Sequence, residues 1–337
     1  MSPEEKLFLL GFVILTGKSL SMAKLAVQEP NVSEGEAVLR GREEWQKAAK
    51  LGAKIVFFED PEYPSILKEI KDPPAFLYVK GRLESEACYL AMVGTRKPTP
   101  YGRKVAFEWA KELASLGLGI VSGLALGIDT EAHRGALSAE GYTVAVLGSG
   151  LDWIYPYENR KLAEKIVARG GALISEFPFG SRPERWRFPR RNRIISGMSK
   201  GVLVVEAAQR SGSLITARLA ADQGREVMAV PGSVFSEASQ GTHYLIREGA
   251  YPVTSPKDVI EVLGVIREIN EEKNDNVVGL SPSEEKLLGV LSVNPKHFDE
   301  LIAETGLPVT ELSELLLLLE LKGLVQSLPG KFFQRMN

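Results

Sequence analysis

The stretch RWRFPRRNRIISG, Arg185 to Gly197, carries five arginines between Arg185 and Arg193, with Trp186 and Phe188 set among them. From Arg182 to Arg193 six arginines face a single acid, Glu184. Arginine pairs bidentately with phosphate and stacks on bases, and aromatic faces accept unstacked bases of any identity. The expected chemistry is therefore recognition of a single-stranded nucleic acid. The competing reading is a solvated loop whose arginines pair with acids elsewhere in the chain. On either reading Arg193 belongs to a helix that begins there, anchored by Ile194 and Ile195.

Further anion-binding candidates are glycine- and serine-rich turns that follow apolar runs. They are Gly94-Thr95-Arg96, Ser122-Gly123, Gly148-Ser149-Gly150, Gln209 to Ser213 and Pro231-Gly232-Ser233. Glycine lets backbone N–H groups approach an anion, and a helix starting just beyond adds its positive end. None of these turns has dinucleotide-binding spacing: GTRKPTPYG lacks it, and GSGLDW places Trp153 at the third glycine position. In GFVILTGKS five residues separate Gly11 from Gly17, one more than a P-loop uses, and the stretch reads as helix.

Catalytic groups are sparse. Asp129 and His133 are four apart on one helix face, which reads as a helix-surface hydrogen bond, and Glu206 ends a strand. No nucleophile elbow or close carboxylate pair accompanies them. The lone Cys88 and the scattered His133, His243 and His297 build neither a disulfide framework nor a metal site, so no metal and no cofactor are expected.

The elements that must position these residues follow from periodicity. CYLAMVG, LGIVSG, YTVAVLG, ALISEF, GVLVVEA and EVMAVPG are short continuous apolar runs, separated by amphipathic segments that end in glycine. Such strands belong to a parallel sheet covered on both faces, an α/β doubly wound fold whose ligands bind at the carboxyl ends of the strands. Before it lies a helical region with one predicted strand, KIVFFED. After the charged linker NEEKNDN come Ser281 and Glu284, spaced as a capping box, then helical FDELIAETG and TELSELLLLLELKG and a hairpin in LVQSLPGKFFQR. Three helices and a hairpin make a winged-helix-like unit. The predicted boundaries are 1–65, 66–265, a linker at 266–280, and 281–337.

The chain's 337 residues suit two or three domains, and its net charge of −2 excludes a uniformly basic nucleic-acid binder but not a local basic site. LFLLGFVIL follows Glu4 and Glu5 where a leader needs positive charge, and it is too short to span a bilayer, so a buried helix and a cytoplasmic protein are expected.

Taken together, VGTRKPTPYG, VSGLALGIDTEAHRGAL, AVLGSGLDWIYPYENRKL, SEFPFG, FPRRNRIISGMSKGVLVVEA and SGSLITARLAADQGREVMAVPG resemble the DNA-processing protein A (DprA/Smf) family over residues 60 to 250. The resemblance implies an extended Rossmann-like domain that binds single-stranded DNA as a homodimer. It further implies protecting incoming strands and loading the RecA recombinase during natural transformation, without catalysis. Carried onto this sequence, Arg96 holds a phosphate beside Gly94 and Thr95, with Ser122 and Gly123 lining the same pocket. Arg187, Arg190, Arg191, Asn192 and Arg193 extend the track, joined by Gly212 and Ser213, with Arg218 a weaker candidate because its helix can turn it outward. His243 stands in GTHYLI where the family usually has asparagine. The terminal units resemble the family's helical domain, SAM-like or helix-hairpin-helix, and its winged helix.

From Ser281 to Asn337 eight acids outnumber five lysines and arginines, and the would-be recognition helix carries Glu311, Glu314 and Glu320 against Lys322. A groove-reading helix needs donors for phosphates and base edges. The unit is therefore expected to contact protein. The alternative function is a nucleotide-processing enzyme of the phosphoribohydrolase kind. That chemistry relies on P-G-G-x-G-T-x-x-E, and VPGSVFSEASQGT has the wrong spacing.

Overall fold

The computed structural model describes residues 1–17, 32–265, 282–292, 294–321, 324–328 and 330–336, in two units, Met1–Ile266 and Arg267–Asn337. The six apolar runs form β3 (Tyr89–Val93), β4 (Gly119–Ser122), β5 (Thr143–Val146), β6 (Ala172–Ser175), β7 (Gly201–Val204) and β8 (Glu226–Ala229). With β1 (Lys54–Phe57), β2 (Phe76–Gly81) and β9 (Tyr251–Pro252), nine strands among the described residues make one sheet, ordered β1-β2-β6-β5-β4-β3-β7-β8-β9. From β6 to β9 in that order the pairs are parallel, whereas β2 is antiparallel to both β1 and β6. The chain winds outward from β3 to β6 and then crosses to β7 on the other side of β3. The carboxyl ends of β3 and β7 therefore flank the topological switch point, where open α/β sheets bind ligands.

The helices of this unit are α1 (Pro3–Thr16), α2 (Glu34–Lys50), α3 (Pro100–Ser115), α4 (Ile128–Ser138), α5 (Arg160–Ala168), α6 (Arg187–Gly197), α7 (Ser213–Asp222), α8 (Gln240–Arg247) and α9 (Pro256–Leu263). Strand alternation sends side chains to two cores. On β2, Leu77 and Val79 join Ile194 and Ile195 of α6, Met198 just beyond it, and Leu214 and Ala217 of α7, while Phe76 and Tyr78 join Leu10 of α1, Ala48 of α2 and Ile166 of α5. Helices on both faces satisfy the demand that the apolar runs make.

A division at residue 65 would separate two paired strands. Ile55 and Phe57 of β1 enter the same core as Phe76 and Tyr78, so β1 is the edge of the main sheet rather than part of a separate helical region. LFLLGFVIL lies in α1, where Leu10 and Phe12 are buried. A Cβ at Gly11 would overlap the Ala37 carbonyl and one at Gly41 the Leu7 carbonyl, so glycines let α1 and α2 meet backbone to backbone. No helix among the described residues is long and apolar enough to cross a membrane.

The second unit contains α10 (Pro282–Val290), β10 (Lys296–His297), α11 (Phe298–Thr305), α12 (Val309–Leu321), β11 (Val325–Leu328) and β12 (Phe332–Arg335). Its strands pair antiparallel in the order β10-β12-β11. Leu312, Leu315, Leu316 and Leu319 of α12 pack on Leu287 and Leu301 and on Val325 of the hairpin, the arrangement of a winged helix. Ser281, the expected cap, and the expected linker at 266–280 lie outside the described residues.

Candidate nucleic-acid interface

A cleft of about 660 Å³ opens at the switch point. Gly94 and Arg96 line it from the loop after β3, Phe188 and Asn192 from α6, and Gly212 and Ser213 from the start of α7. Arg185 and Tyr155 complete the wall. The Arg96 guanidinium lies 5.7 Å from the centre of the Phe188 ring, and the Tyr155 and Phe188 rings are also 5.7 Å apart. The first of these separations is within cation–π range. Arg96 and Arg185 are exposed, and among the described residues neither pairs with a carboxylate. The cleft thus offers two uncommitted cations, two aromatic faces and a glycine-led helix N-terminus. A Cβ at Gly212 would meet nothing within 4 Å, so a ligand can approach that backbone closely.

Helix α6 divides the arginine stretch. It begins at Arg187 rather than at Arg193, where the sequence pattern starts it. Pro189 is compatible with this because N–H groups of a first turn have no intrahelical acceptor. With 3.6 residues per turn, Phe188, Arg191, Asn192 and Ile195 share the cleft face. Arg187, Arg190 and Arg193 lie on the other side, lining a separate pocket with Glu176 and Asp72. There Arg193 pairs with Glu176 and, at 3.7 Å, with Asp72; Arg190 is 3.5 Å from Glu176 and Arg187 2.9 Å from Glu184. Arg190 and Arg193 thus match the competing reading, pairing with acids elsewhere in the chain, while Arg187 pairs with Glu184 within the stretch itself. Arg218 also departs from the cleft, lining a third pocket with Asp222 and Arg225.

Several other candidates are committed to holding the cleft together. Arg191 is 5% exposed and donates to the carbonyls of Gly123 and Val146, tying α6 to the ends of β4 and β5. Burial pulls its guanidinium down to about 10, with Asp129 opposing the shift. The Gly123 N–H donates to Asp129 Oδ2 at 3.1 Å and the Ser122 hydroxyl to the Met92 carbonyl at 2.6 Å, so neither presents a donor to a ligand. Thr95 N–H donates to the Glu206 carbonyl at 2.7 Å, which closes the turn after β3 and leaves Arg96 as its outward group.

The sparse carboxylates have structural partners too. Asp129 and His133 are buried rather than on a helix surface. Asp129 accepts from Gly123 and Ala125, and burial raises its pKa against the pull of Arg191. His133 Nδ1 bonds Thr143 Oγ1 at 2.7 Å, and burial, helped by Arg191, pushes its imidazole down to about 3. Glu206 is 2% exposed and accepts from the backbone and hydroxyl of Thr99, the cap of α3. His243 bonds the Gly232 carbonyl at 3.0 Å, fastening a turn. Tyr155 is invisible to spacing rules; its only sequence signal is the glycine turn after β5 that carries it towards the carboxyl edge.

A family model described as DNA recombination-mediator protein A matches residues 54–264, and one described as DprA winged helix domain matches residues 271–331. The chain belongs to the DNA recombination-mediator protein A family. It is 42% identical to Protein Smf of Escherichia coli over 278 residues, which cover 80% of this chain and 74% of that protein. Among solved structures, DNA processing protein A of Streptococcus pneumoniae superposes with a TM-score of 0.62 at 36% identity, covering 77% of this chain and 95% of that one. The DNA processing protein A of Helicobacter pylori, whose single-stranded DNA binding mode is described with its structure, gives a TM-score of 0.55 at 32% identity over 62% of this chain and 95% of that one. The extended Rossmann-like sheet and the winged helix are thus family features.

Proposed function

We propose that this member of the family binds single-stranded DNA in the cleft between β3 and β7 and acts as a recombination mediator without catalysing a reaction of its own. The single observation that carries the reading is the Arg96–Phe188–Tyr155 wall beside the Gly212 helix start. Guanidinium and helix N-terminus suit phosphates, and the aromatic faces suit unstacked bases, a pairing that duplex DNA cannot use. The Helicobacter pylori relative's single-stranded DNA binding supports the same ligand class. Glu206 is spent on capping α3, and Asp129, though it borders the cleft, is 7% exposed and accepts two backbone N–H groups, which favours a binder over a nucleotide-processing enzyme.

Family membership extends the proposal to protection of incoming strands, delivery of those strands to the RecA recombinase, a homodimeric state, and a cytoplasmic site of action in natural transformation. The winged helix is assigned to a protein partner, since Glu311, Glu314 and Glu320 are all exposed on α12. A mobility-shift comparison of single- and double-stranded oligonucleotides tests the central reading. The single strand should be preferred, and Arg96→Ala should weaken it for all sequences alike. Equal retention of both forms, or an unchanged Arg96→Ala protein, would show that the cleft is not the site.

A further inference from the structure

We propose that the pocket on the other side of α6 is a second binding site, one that takes a guanine base between Trp186 and the Glu176–Arg193 pair. The pocket holds about 180 Å³ and is walled by Phe177, Trp186, Pro73 and Phe76. An engineered apolar cavity of about 150 Å³ admits benzene, so this space suits a planar base while leaving its sugar outside.

Its polar side is an ion-paired cluster in which single atoms still lack a hydrogen bond among the described residues. Glu176 has a side chain 8% exposed; its Oε1 is ion-paired with Arg190 Nε at 3.5 Å but accepts no hydrogen bond among the described residues. Arg193 has a side chain 12% exposed; among the described residues its Nη1 has no hydrogen-bond acceptor and its Nε has only Asp72 Oδ2 at 3.7 Å, beyond hydrogen-bond reach, and Arg187 Nε has no acceptor either. Buried donors and acceptors left unpaired are costly, and a ligand that supplies both partners recovers that cost.

Guanine has the complementary pattern. Its O6 and N7 accept from a guanidinium, and its N1–H and N2–H₂ donate to a carboxylate. Adenine presents an N6–H₂ donor where guanine has O6, opposing the arginine N–H groups, and pyrimidines lack the second ring. The Arg187 guanidinium stands 5.1 Å from the Trp186 ring and 5.3 Å from the Phe177 ring. The aromatic wall is therefore already ordered by a cation. The source is either a free guanine nucleotide or a guanine of a bound strand, and the pocket can act whether or not the cleft holds DNA.

Calorimetric titration of the full chain with dGMP and dAMP, and with oligothymidine strands carrying one central dG or dA, tests it. A guanine preference of at least tenfold is expected in one arm. If it appears with dGMP and survives Arg96→Ala, the pocket takes free nucleotide; if it is confined to strands, it reads a base of the bound strand. Glu176→Gln should bring the guanine-to-adenine ratio close to one. Trp186→Ala removes a half-exposed side chain rather than a buried one, and it should lower guanine affinity at least fivefold. The absence of guanine preference in both arms, a preference intact in Glu176→Gln, or unchanged affinity in Trp186→Ala would overturn the proposal. Loss of strand binding in Arg96→Ala reports on the cleft alone.

Discussion

Arg191 Nη1 donates to the Gly123 carbonyl at 2.8 Å while the Gly123 N–H donates to Asp129 at 3.1 Å, so a buried cation and a buried carboxylate hold one residue from both sides. The same guanidinium reaches Val146 at the end of β5. Arg191 thus acts as a positioning residue that fixes the floor of the cleft. Removing it orphans two buried carbonyls and leaves Asp129 without a counter-charge. Arg191→Met should destabilise the fold by about 3 kcal/mol, read from urea unfolding. Strand binding of the protein that remains folded should fall less than for Arg96→Ala.

That distinction is only half legible in the sequence. The six core strands stand out because a strand covered on both faces has no polar alternation, which is why CYLAMVG and GVLVVEA mark β3 and β7 without ambiguity. β1 and β2 are harder to place, because Pro73 and Pro74 break the chain between these two antiparallel strands and neither carries a sign of β2's distant partner β6. Pro189 hides the start of α6, and without that start the 3.6-residue period cannot be applied to the arginines. Drawn from Arg187, the period sends Arg187, Arg190 and Arg193 to one face and Phe188, Arg191 and Asn192 to the other. What no spacing reveals is that Glu176, well before Arg187 in the chain, pairs with Arg190 and Arg193 of the first set.

Arg96 is exposed at the cleft and pairs with no described carboxylate, so its charge is available to the phosphodiester backbone. Each phosphate neutralised on a single strand contributes roughly 0.7 to the slope of log affinity against log salt. Arg96→Ala should therefore weaken binding most at low salt and lower that slope by about 0.7. Fluorescence anisotropy over a salt series measures both quantities.

Phe188 should contribute through its face rather than through charge. Its ring is 5.7 Å from the Arg96 guanidinium and 5.7 Å, in a tilted arrangement, from the Tyr155 ring. Stacking of a base on an aromatic side chain is worth about 1–3 kcal/mol. Phe188→Ala should weaken single-strand affinity by roughly tenfold, a change of about 1.4 kcal/mol, without altering the salt slope. Phe188→Tyr should restore it. Binding isotherms of the two variants at two salt concentrations separate stacking from charge.

His133 makes stability depend on pH. Its folded-state pKa of about 3 lies below the ordinary 6.5, so between those values the unfolded chain takes up a proton that the folded chain refuses. The stabilisation is complete above pH 6.5 and falls as the pH drops towards 3. The raised Asp129 and Glu176 carboxyls act oppositely, favouring the fold at low pH and losing that contribution as the pH rises. Comparison with His133→Gln, which retains a partner for Thr143, isolates the imidazole. Between about pH 7 and about pH 5 the unsubstituted protein should lose about 2 kcal/mol more than the variant in urea unfolding.

The winged helix should contribute little to strand binding. Its buried leucines are used within its own core, and the exposed side of α12 presents Glu311, Glu314 and Glu320. Carboxylates facing a phosphate backbone repel it, and screening at physiological salt reduces that repulsion without reversing its sign. A chain ending at residue 266, the limit of the first compact unit, should therefore bind single strands within about twofold of the full chain at moderate salt, and slightly better at low salt. A tenfold loss on truncation in anisotropy titrations would mean that the unit reads DNA in spite of its acids.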